Sequence, residues 1–361
     1  MPGRGSGGGG FWNRNGIVPA SAAVQPGGMK RRDFLSALAA GTTALTVRGA
    51  AGTGEERDAL GPVLPRRRLG RTGVAVTLLG VGGYHVGWTT ERDAEEVIEA
   101  ALAGGVRFFD TAESYQKGES ERRYGRWLVP KYRAHVFLMT KSTATTAADL
   151  RRHLDESRQR LQTDVIDLWQ VHSLANPKDV ETRLANGILD VLREAKASGK
   201  VRHLGFTGHA NPEAHLRMLE RIGGEELFAT CQMPINAVDP SYHSFIRQVI
   251  PEAQKRGLAL LAMKTLADGR FFGEKRMGAR VVWKTESPAV PNRLSIAEAL
   301  HFAWSLPISV LITGAENAEL LREKIALARA FTGMSEATRQ QLIAKVADLA
   351  DGKVEYFKRP V

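Results

Sequence analysis

From about residue 66 onward the chain alternates short, β-branched apolar runs with longer amphipathic segments, and that rhythm leaves few folds open. Eight short runs read as strands, over residues 76–83, 106–110, 136–141, 165–172, 201–207, 228–233, 258–264 and 309–313. Between them lie helical patterns such as DAEEVIEAALAGG, AADLRRHLDESRQRLQ, ILDVLREAKASGK and PEAHLRMLERIGG, several closed by glycine at the C-cap position. A parallel crossover needs a dozen or more residues, usually a helix, and these segments have that length. Eight strand–helix units with short connections predict an α/β fold, a closed (β/α)8 TIM barrel forming a single catalytic domain.

In such a barrel the chemistry sits where the strands end. Asp110 ends the second run, Lys141 the third and His172 the fourth, while Tyr115 follows Asp110 by five residues on the next loop. Each has an ordinary explanation alone: a helix cap, a solvated charge, a core histidine, a loop tyrosine. Polar residues closing three successive buried strands are another matter, because such strands otherwise read as continuous hydrophobic runs. Together the four make a carbonyl-reducing proton donor. An isolated tyrosine, with a pKa of about 10, gives up its proton reluctantly. An ammonium at Lys141 lowers that pKa, Asp110 fixes the lysine, and His172 orients the substrate oxygen or relays its proton.

Other chemistries find little support. The formal charge of +11 permits nucleic-acid binding, but much of the basic excess precedes residue 69, in Lys30, Arg31, Arg32 and Arg66 to Arg68. The remainder mixes both signs along helices and reads as solvated faces, so no nucleic-acid partner is expected. Cys231 is the only cysteine, which excludes an internal disulfide and a cysteine-based metal cluster; in ATCQMPIN it reads as a small buried strand residue. No H-E-x-x-H or G-x-S-x-G motif occurs, so neither a zinc site nor a serine hydrolase is expected. The glycines of LLGVGGYHVGW place His85 where a Rossmann loop needs its third glycine, and they read instead as places where substrate or cofactor approaches the backbone.

Ahead of the barrel the chain changes character. Residues 1–28 are a glycine-rich tail, or translation begins at Met29. Residues 29–50 join a basic head bearing Arg31 and Arg32 to a short apolar run from Phe34 to Val47, the form of a twin-arginine signal cleaved near Ala50. An exported, periplasmic protein is expected, with the twin-arginine translocase as a partner; without a working signal the location is cytoplasmic. That route carries folded proteins, which suits a cofactor loaded before export. No apolar stretch reaches 18 residues, so no stable membrane span is expected. Residues 51–65 read as linker, 66–349 as the barrel with an N-terminal hairpin and an extra C-terminal helix, and 350–361 as a C-terminal tail.

Over residues 66–332 the chain resembles the aldo-keto reductase family. RRRLGRTGVAVTLLGVGG is similar to its N-terminal hairpin and first strand, FFDTAESYQKGESERRYG to its signature around the catalytic Asp and Tyr, and LRRHLDESRQRLQTDVIDLWQVHS to its third helix and fourth strand. The resemblance makes Asp110, Tyr115, Lys141 and His172 the catalytic tetrad. It implies hydride transfer between NADP(H), or NAD(H), and an aldehyde, ketone or alcohol. Gly82, Thr207, Gln232, Lys264, Gly314, Ala315, Glu316 and Asn317 are then the candidate cofactor-binding positions, with Gln232 facing the nicotinamide amide and ITGAENAELLREK holding the adenosine end. Two departures stand out. Thr207 and Gly208 replace a Ser-Asn pair that grips the carboxamide, and Glu316 stands where a basic residue meets the 2′-phosphate of NADP, which leaves NAD open. Some family relatives bind the cofactor as sensor or regulatory barrels without significant turnover, which is the alternative. The long segment after the seventh strand, with Phe271, Phe272 and Trp283, either closes over a ligand or forms a mobile surface excursion.

Overall fold

The computed structural model describes residues 56–277 and 279–359; the glycine-rich tail, the twin-arginine segment and the start of the linker lie outside the described residues. Eight parallel strands close the barrel: β1 Leu79–Gly82, β2 Phe108–Asp110, β3 Phe137–Ser142, β4 Ile166–Val171, β5 Val201–Thr207, β6 Thr230–Pro234, β7 Ala259–Met263 and β8 Val310–Thr313, with β8 pairing back to β1. The crossovers run through α1 Glu91–Ala103, α2 Ala147–Leu161, α3 Pro177–Ala185, α4 Ile188–Ala197, α5 Pro212–Ile222, α6 Phe245–Lys255 and α7 Ile296–Trp304, and through an irregular helical stretch over residues 119–132 between β2 and β3. α8 Ala318–Ala330 follows β8, and α9 Glu336–Val346 is the extra C-terminal helix. Helix starts follow local chemistry: Thr90, Thr146, Asn176, Asn211, Ser244, Ser295 and Asn317 each accept a hydrogen bond from a backbone N–H in the following turn. Buried Leu150, Leu154 and Leu161 lie on one stripe of α2 against the strands.

The expected first strand, 76–83, divides in two. Ala75–Thr77 pairs antiparallel with Arg66–Arg68, and only Leu79–Gly82 enters the barrel. This hairpin sets Leu69 and Val76 into the barrel interior beside Phe108, Met139, Leu168, Leu261, Val310 and Ile312. Each such side chain contributes about 1.5–3 kcal/mol by leaving water. Residues 56–65 were expected as linker, yet Arg57–Asp58 pairs with Gly61–Pro62, Val63 and Leu64 are buried, and Asp58 receives the guanidinium of buried Arg107. That ion pair, with the Leu64 N–H on the Gly105 carbonyl, seats the segment on the barrel.

The expected C-terminal tail packs as well. Val354 and Phe357 are buried, and the fully buried Lys358 ammonium lies 2.7 Å from both Asp239 and Glu355. In the long segment after β7, Glu274–Met277 pairs with Arg280–Lys284 as a hairpin. Phe271 belongs to the core, so it is not available to cover a ligand, while Trp283 stacks on the Arg270 guanidinium at 4.5 Å. Phe272 is half-buried against the core.

Candidate active site

Strand periodicity places the polar side chains. In β2, β3 and β4 the interior residues Phe108, Met139 and Leu168 are followed two positions later by Asp110, Lys141 and Gln170, and His172 continues the same phase beyond β4. Parallel register aligns Asp110 with Met139 and Lys141 with Gln170, so the polar residues collect at one end of the barrel.

All four expected catalytic residues meet there. Lys141 is 1 % exposed, and its ammonium contacts an Asp110 carboxylate oxygen at 2.5 Å, the Thr111 carbonyl at 2.7 Å and the Tyr115 hydroxyl at 3.3 Å. The same ammonium lies 4.8 Å from the Tyr115 ring centre, and the His172 ring meets Tyr115 edge-on at 5.8 Å. Tyr84, on the short helix Gly83–Trp88 that follows β1, contacts Tyr115 edge-on from another side. The Thr111 hydroxyl donates to Ser120 Oγ, which donates to the Gly83 carbonyl, so the loop bearing Tyr115 is tied back to the start of the next helical stretch.

Burial and charge compete in this cluster. Burial alone lowers Lys141, but Asp110 and Tyr115 outweigh it and hold the ammonium above its ordinary value. Burial raises Asp110, and Lys141 pulls it back down through the 2.5 Å contact without cancelling the rise. Tyr115 departs from the sequence-based expectation. Lys141 does pull the phenol down, yet burial pushes it up by more and Asp110 adds to the rise, so the hydroxyl sits above its ordinary value. The phenol is therefore protonated at neutral pH. His172 is pushed well below the usual histidine range, first by burial and then by Lys141, and is neutral at pH 7.

The expected cofactor positions divide into several groups. Thr207, the last residue of β5, lies in register beside Gln232 of β6, both buried, and Gln232 Oε1 has no partner among the described residues. Thr265 Oγ1, just past β7, is likewise buried and unpartnered; the sequence reading did not single it out. A side chain at Gly208 would come within 2.5 Å of the Leu174 carbonyl and 2.9 Å of the His215 ring, which is why an asparagine has no room there. Gly82 packs against Thr313 of β8, and the space a side chain at Gly314 would need holds the His85 ring. Ala315 is buried, Glu316 is exposed, and Asn317 is occupied as the N-cap of α8. Lys324 turns inward and donates to the Gly314 carbonyl, with burial lowering it to about 8. Lys264 lies beneath Phe357, 5.1 Å from the ring centre, and 3.5 Å from Asp268.

Two further features were not read from the sequence. The Gln170 amide donates to Thr230 Oγ1 at 2.9 Å across the gap left by Gly205. Glu113, between Asp110 and Tyr115, turns its carboxylate into the protein rather than toward solvent. The phase of Gln170 with His172 was a usable signal for the first, whereas a glutamate in a polar loop gave none.

Comparison with known proteins decides the family. Residues 78–335 match the Aldo/keto reductase family. The chain belongs to that family. It is 33% identical over 225 residues to the 6-dehydroglucose reductase of Novosphingobium aromaticivorans, covering 57% of this chain and 70% of that protein. It is 28% identical over 224 residues to the aldo-keto reductase YhdN of Bacillus subtilis, covering 56% and 62%. Among solved structures, an aldo-keto reductase of Bacillus halodurans in its holo form superposes with a TM-score of 0.65 at 20% identity, over 78% of this chain and 96% of that one. An aldo-keto reductase of Klebsiella pneumoniae in complex with NADPH gives 0.61 at 23%, over 78% and 94%. The protein is thus an oxidoreductase of the aldo-keto reductase type, built on the (β/α)8 barrel.

Proposed function

We propose that the barrel transfers hydride between NADP(H) and a small carbonyl or alcohol, with Tyr115 as the proton donor in reduction and acceptor in oxidation. The observation that carries the assignment is the Lys141 ammonium shared between Asp110 at 2.5 Å and the Tyr115 hydroxyl at 3.3 Å. Alkoxide forming at the substrate needs a proton, and Tyr115 is the acid at the barrel mouth with a cation already placed to stabilise the phenolate left behind. Asp110 keeps that cation in place, and neutral His172 donates a hydrogen bond to the substrate oxygen.

The residues present fit a nicotinamide. Gln232 Oε1 is a buried acceptor without a partner among the described residues, suited to a carboxamide N–H, with Thr207 beside it in register. Thr265 Oγ1 supplies a further unused polar atom at the end of β7. A bound nicotinamide supplies the hydride and the protein supplies and receives the proton. NADP(H) is favoured by the relative from Klebsiella pneumoniae, whose structure is described as a complex with NADPH. Glu316 argues for testing NAD(H) alongside it. For the substrate, the Novosphingobium aromaticivorans relative is named for a sugar carbonyl, and the exposed rings of Tyr84 and Trp88 flank the mouth here, so a hydroxylated carbonyl compound is the class we favour. We also propose export through the twin-arginine segment, which mass spectrometry of the N-terminus from the cell envelope tests; an intact N-terminus in a cytoplasmic fraction would refute it.

The deciding experiment is Tyr115→Phe, assayed by NADPH oxidation over a panel of simple and hydroxylated carbonyls. Turnover falls by about 10³-fold or more while NADPH binding, read by fluorescence quenching, stays within about threefold. Retained turnover would remove Tyr115 from its role. Tight NADPH binding by the wild-type protein with no turnover on any compound would assign the barrel to the sensor class instead.

A further inference from the structure

Beside the proton donor lies a second polar cluster that the reaction does not use directly. Glu113 is nine-tenths buried, two residues before Tyr115, and its Oε1 accepts from the Thr143 backbone N–H at 2.9 Å and the Thr143 hydroxyl at 2.6 Å. His153 on α2 places Nδ1 3.3 Å from that oxygen and 2.9 Å from Ser142 Oγ. The other carboxylate oxygen is buried and has no partner among the described residues. A carboxylate held this way is costly unless the geometry it enforces is useful, because an unsatisfied buried acceptor costs about 1–3 kcal/mol.

The geometry has a clear beneficiary. Thr143 lies two residues beyond Lys141 on the same chain segment, so the Glu113 tether ties the loop bearing Tyr115 to the strand bearing its ammonium partner. The backbone continues the tie, with Thr111 N–H on the Met139 carbonyl and Glu113 N–H on the Lys141 carbonyl. Just past Tyr115 the chain turns sharply, since Gln116 and Lys117 both have positive φ, and the backbone of Tyr115 itself is held by one short-range bond, its N–H on the Ala112 carbonyl at 3.1 Å. The last side-chain anchor before Tyr115 is therefore Glu113.

We propose that Glu113 is a positioning residue for the proton donor, pinning the Tyr115 loop against the end of β3 and setting a second negative charge beside the phenol. This rests on the assignment of Tyr115 above. The charges facing Tyr115 are Asp110, Lys141 and Glu113, with neutral His172 across the ring; Glu113 faces His153, backed by Arg152, and Arg183 of α3 braces the Thr143–Ala144 segment by donating to the Ala144 carbonyl at 3.2 Å. Glu113 acts on Tyr115 in the same sense as Asp110, making the phenolate harder to form.

Two variants separate tether from charge. Glu113→Ala removes both, and kcat falls about tenfold or more while KM for the carbonyl and Kd for NADPH change less than about threefold. Glu113→Gln keeps an oxygen for Thr143 and loses the charge, so kcat at its optimum stays within about threefold and the basic limb of the pH profile moves down. The proposal is overturned if kcat in Glu113→Ala stays within about twofold of wild type, if the limb in Glu113→Gln does not move, or if Glu113→Gln loses as much rate as Glu113→Ala. Tyr115→Phe run in parallel keeps the two assignments apart: an inactive Tyr115→Phe with a fully active Glu113→Ala refutes only the positioning role.

Discussion

Replacing Lys141 with methionine tests the site through stability and rate at once. The side chain is 1 % exposed, and methionine fills similar volume without the ammonium. What remains is the Asp110 carboxylate, its side chain 4 % exposed, facing no cation. Breaking a buried pair in this way costs about 3–5 kcal/mol, a large share of the roughly 5–15 kcal/mol that holds a domain together. With a urea m-value of about 3 kcal/mol/M, the midpoint drops by about 1–1.7 M at pH 8. The sign of the pH dependence follows from Asp110. Burial raises its carboxyl and Lys141 is what lowers it, so in the variant the folded value climbs further above the unfolded value of about 3.9. A carboxyl raised on folding gives its stabilising contribution below the unfolded value and loses it as pH rises through the folded one. The deficit is therefore full at pH 8 and shrinks to about 1 kcal/mol near pH 4, where only the lost hydrogen bonds to Thr111 and Tyr115 count. Adding Asp110→Leu to the variant restores several kcal/mol at pH 8, while reductase turnover in both stays about 10²–10⁴-fold below wild type. Urea unfolding at pH 4.5 and 8 with parallel NADPH-oxidation assays is the measurement. Equal deficits at both pH values, or a double variant no more stable than the single one, would refute the buried-pair reasoning.

Three further outcomes are expected. Lys358→Ala strands the buried carboxylates of Asp239 and Glu355, costs about 3–5 kcal/mol in urea unfolding and opens residues 350–359 to limited proteolysis. His172, held well below the usual histidine range by burial, is neutral when folded and binds a proton when unfolded below about pH 6.5, so stability present at pH 7 is lost as pH falls; His85, His209 and His215, each lowered to about 4, act alike, and His172→Gln flattens but does not abolish the loss between pH 7 and 5 in thermal melts. Glu316→Arg replaces an exposed carboxylate at the start of α8 and shifts the ratio of NADPH to NADH dissociation constants toward NADPH by about fivefold, roughly 1 kcal/mol, in fluorescence titrations.

The barrel was legible because its evidence is periodic and local. Each apolar run had to be covered by the helix that follows it, and Asp110, Lys141 and His172 stood out as polar residues ending runs that are otherwise apolar. Tyr115 was legible only through its motif, since a loop tyrosine has no periodicity. Residues whose importance depends on distant partners stayed hidden. Glu113 looks like any loop glutamate until Thr143 and His153 arrive from another strand and helix, and Lys358 looks like tail charge until Asp239 encloses it.

The alternation of strands and helices, and the polar residues that end the second, third and fourth strands, follow from the chain alone, because apolar runs and helix length are properties of single segments. The balance of charge at the site does not. From the sequence Lys141 lowers the Tyr115 phenol; in the folded barrel that pull is present, but closure of the strands strips water from all four groups, and the cost of burying a charge exceeds what one ammonium at 3.3 Å returns. Likewise Gly208 reads as a missing asparagine until Leu174 and His215 fill the space around it. Desolvation and excluded volume depend on what surrounds a residue in three dimensions, and these the tertiary structure decided.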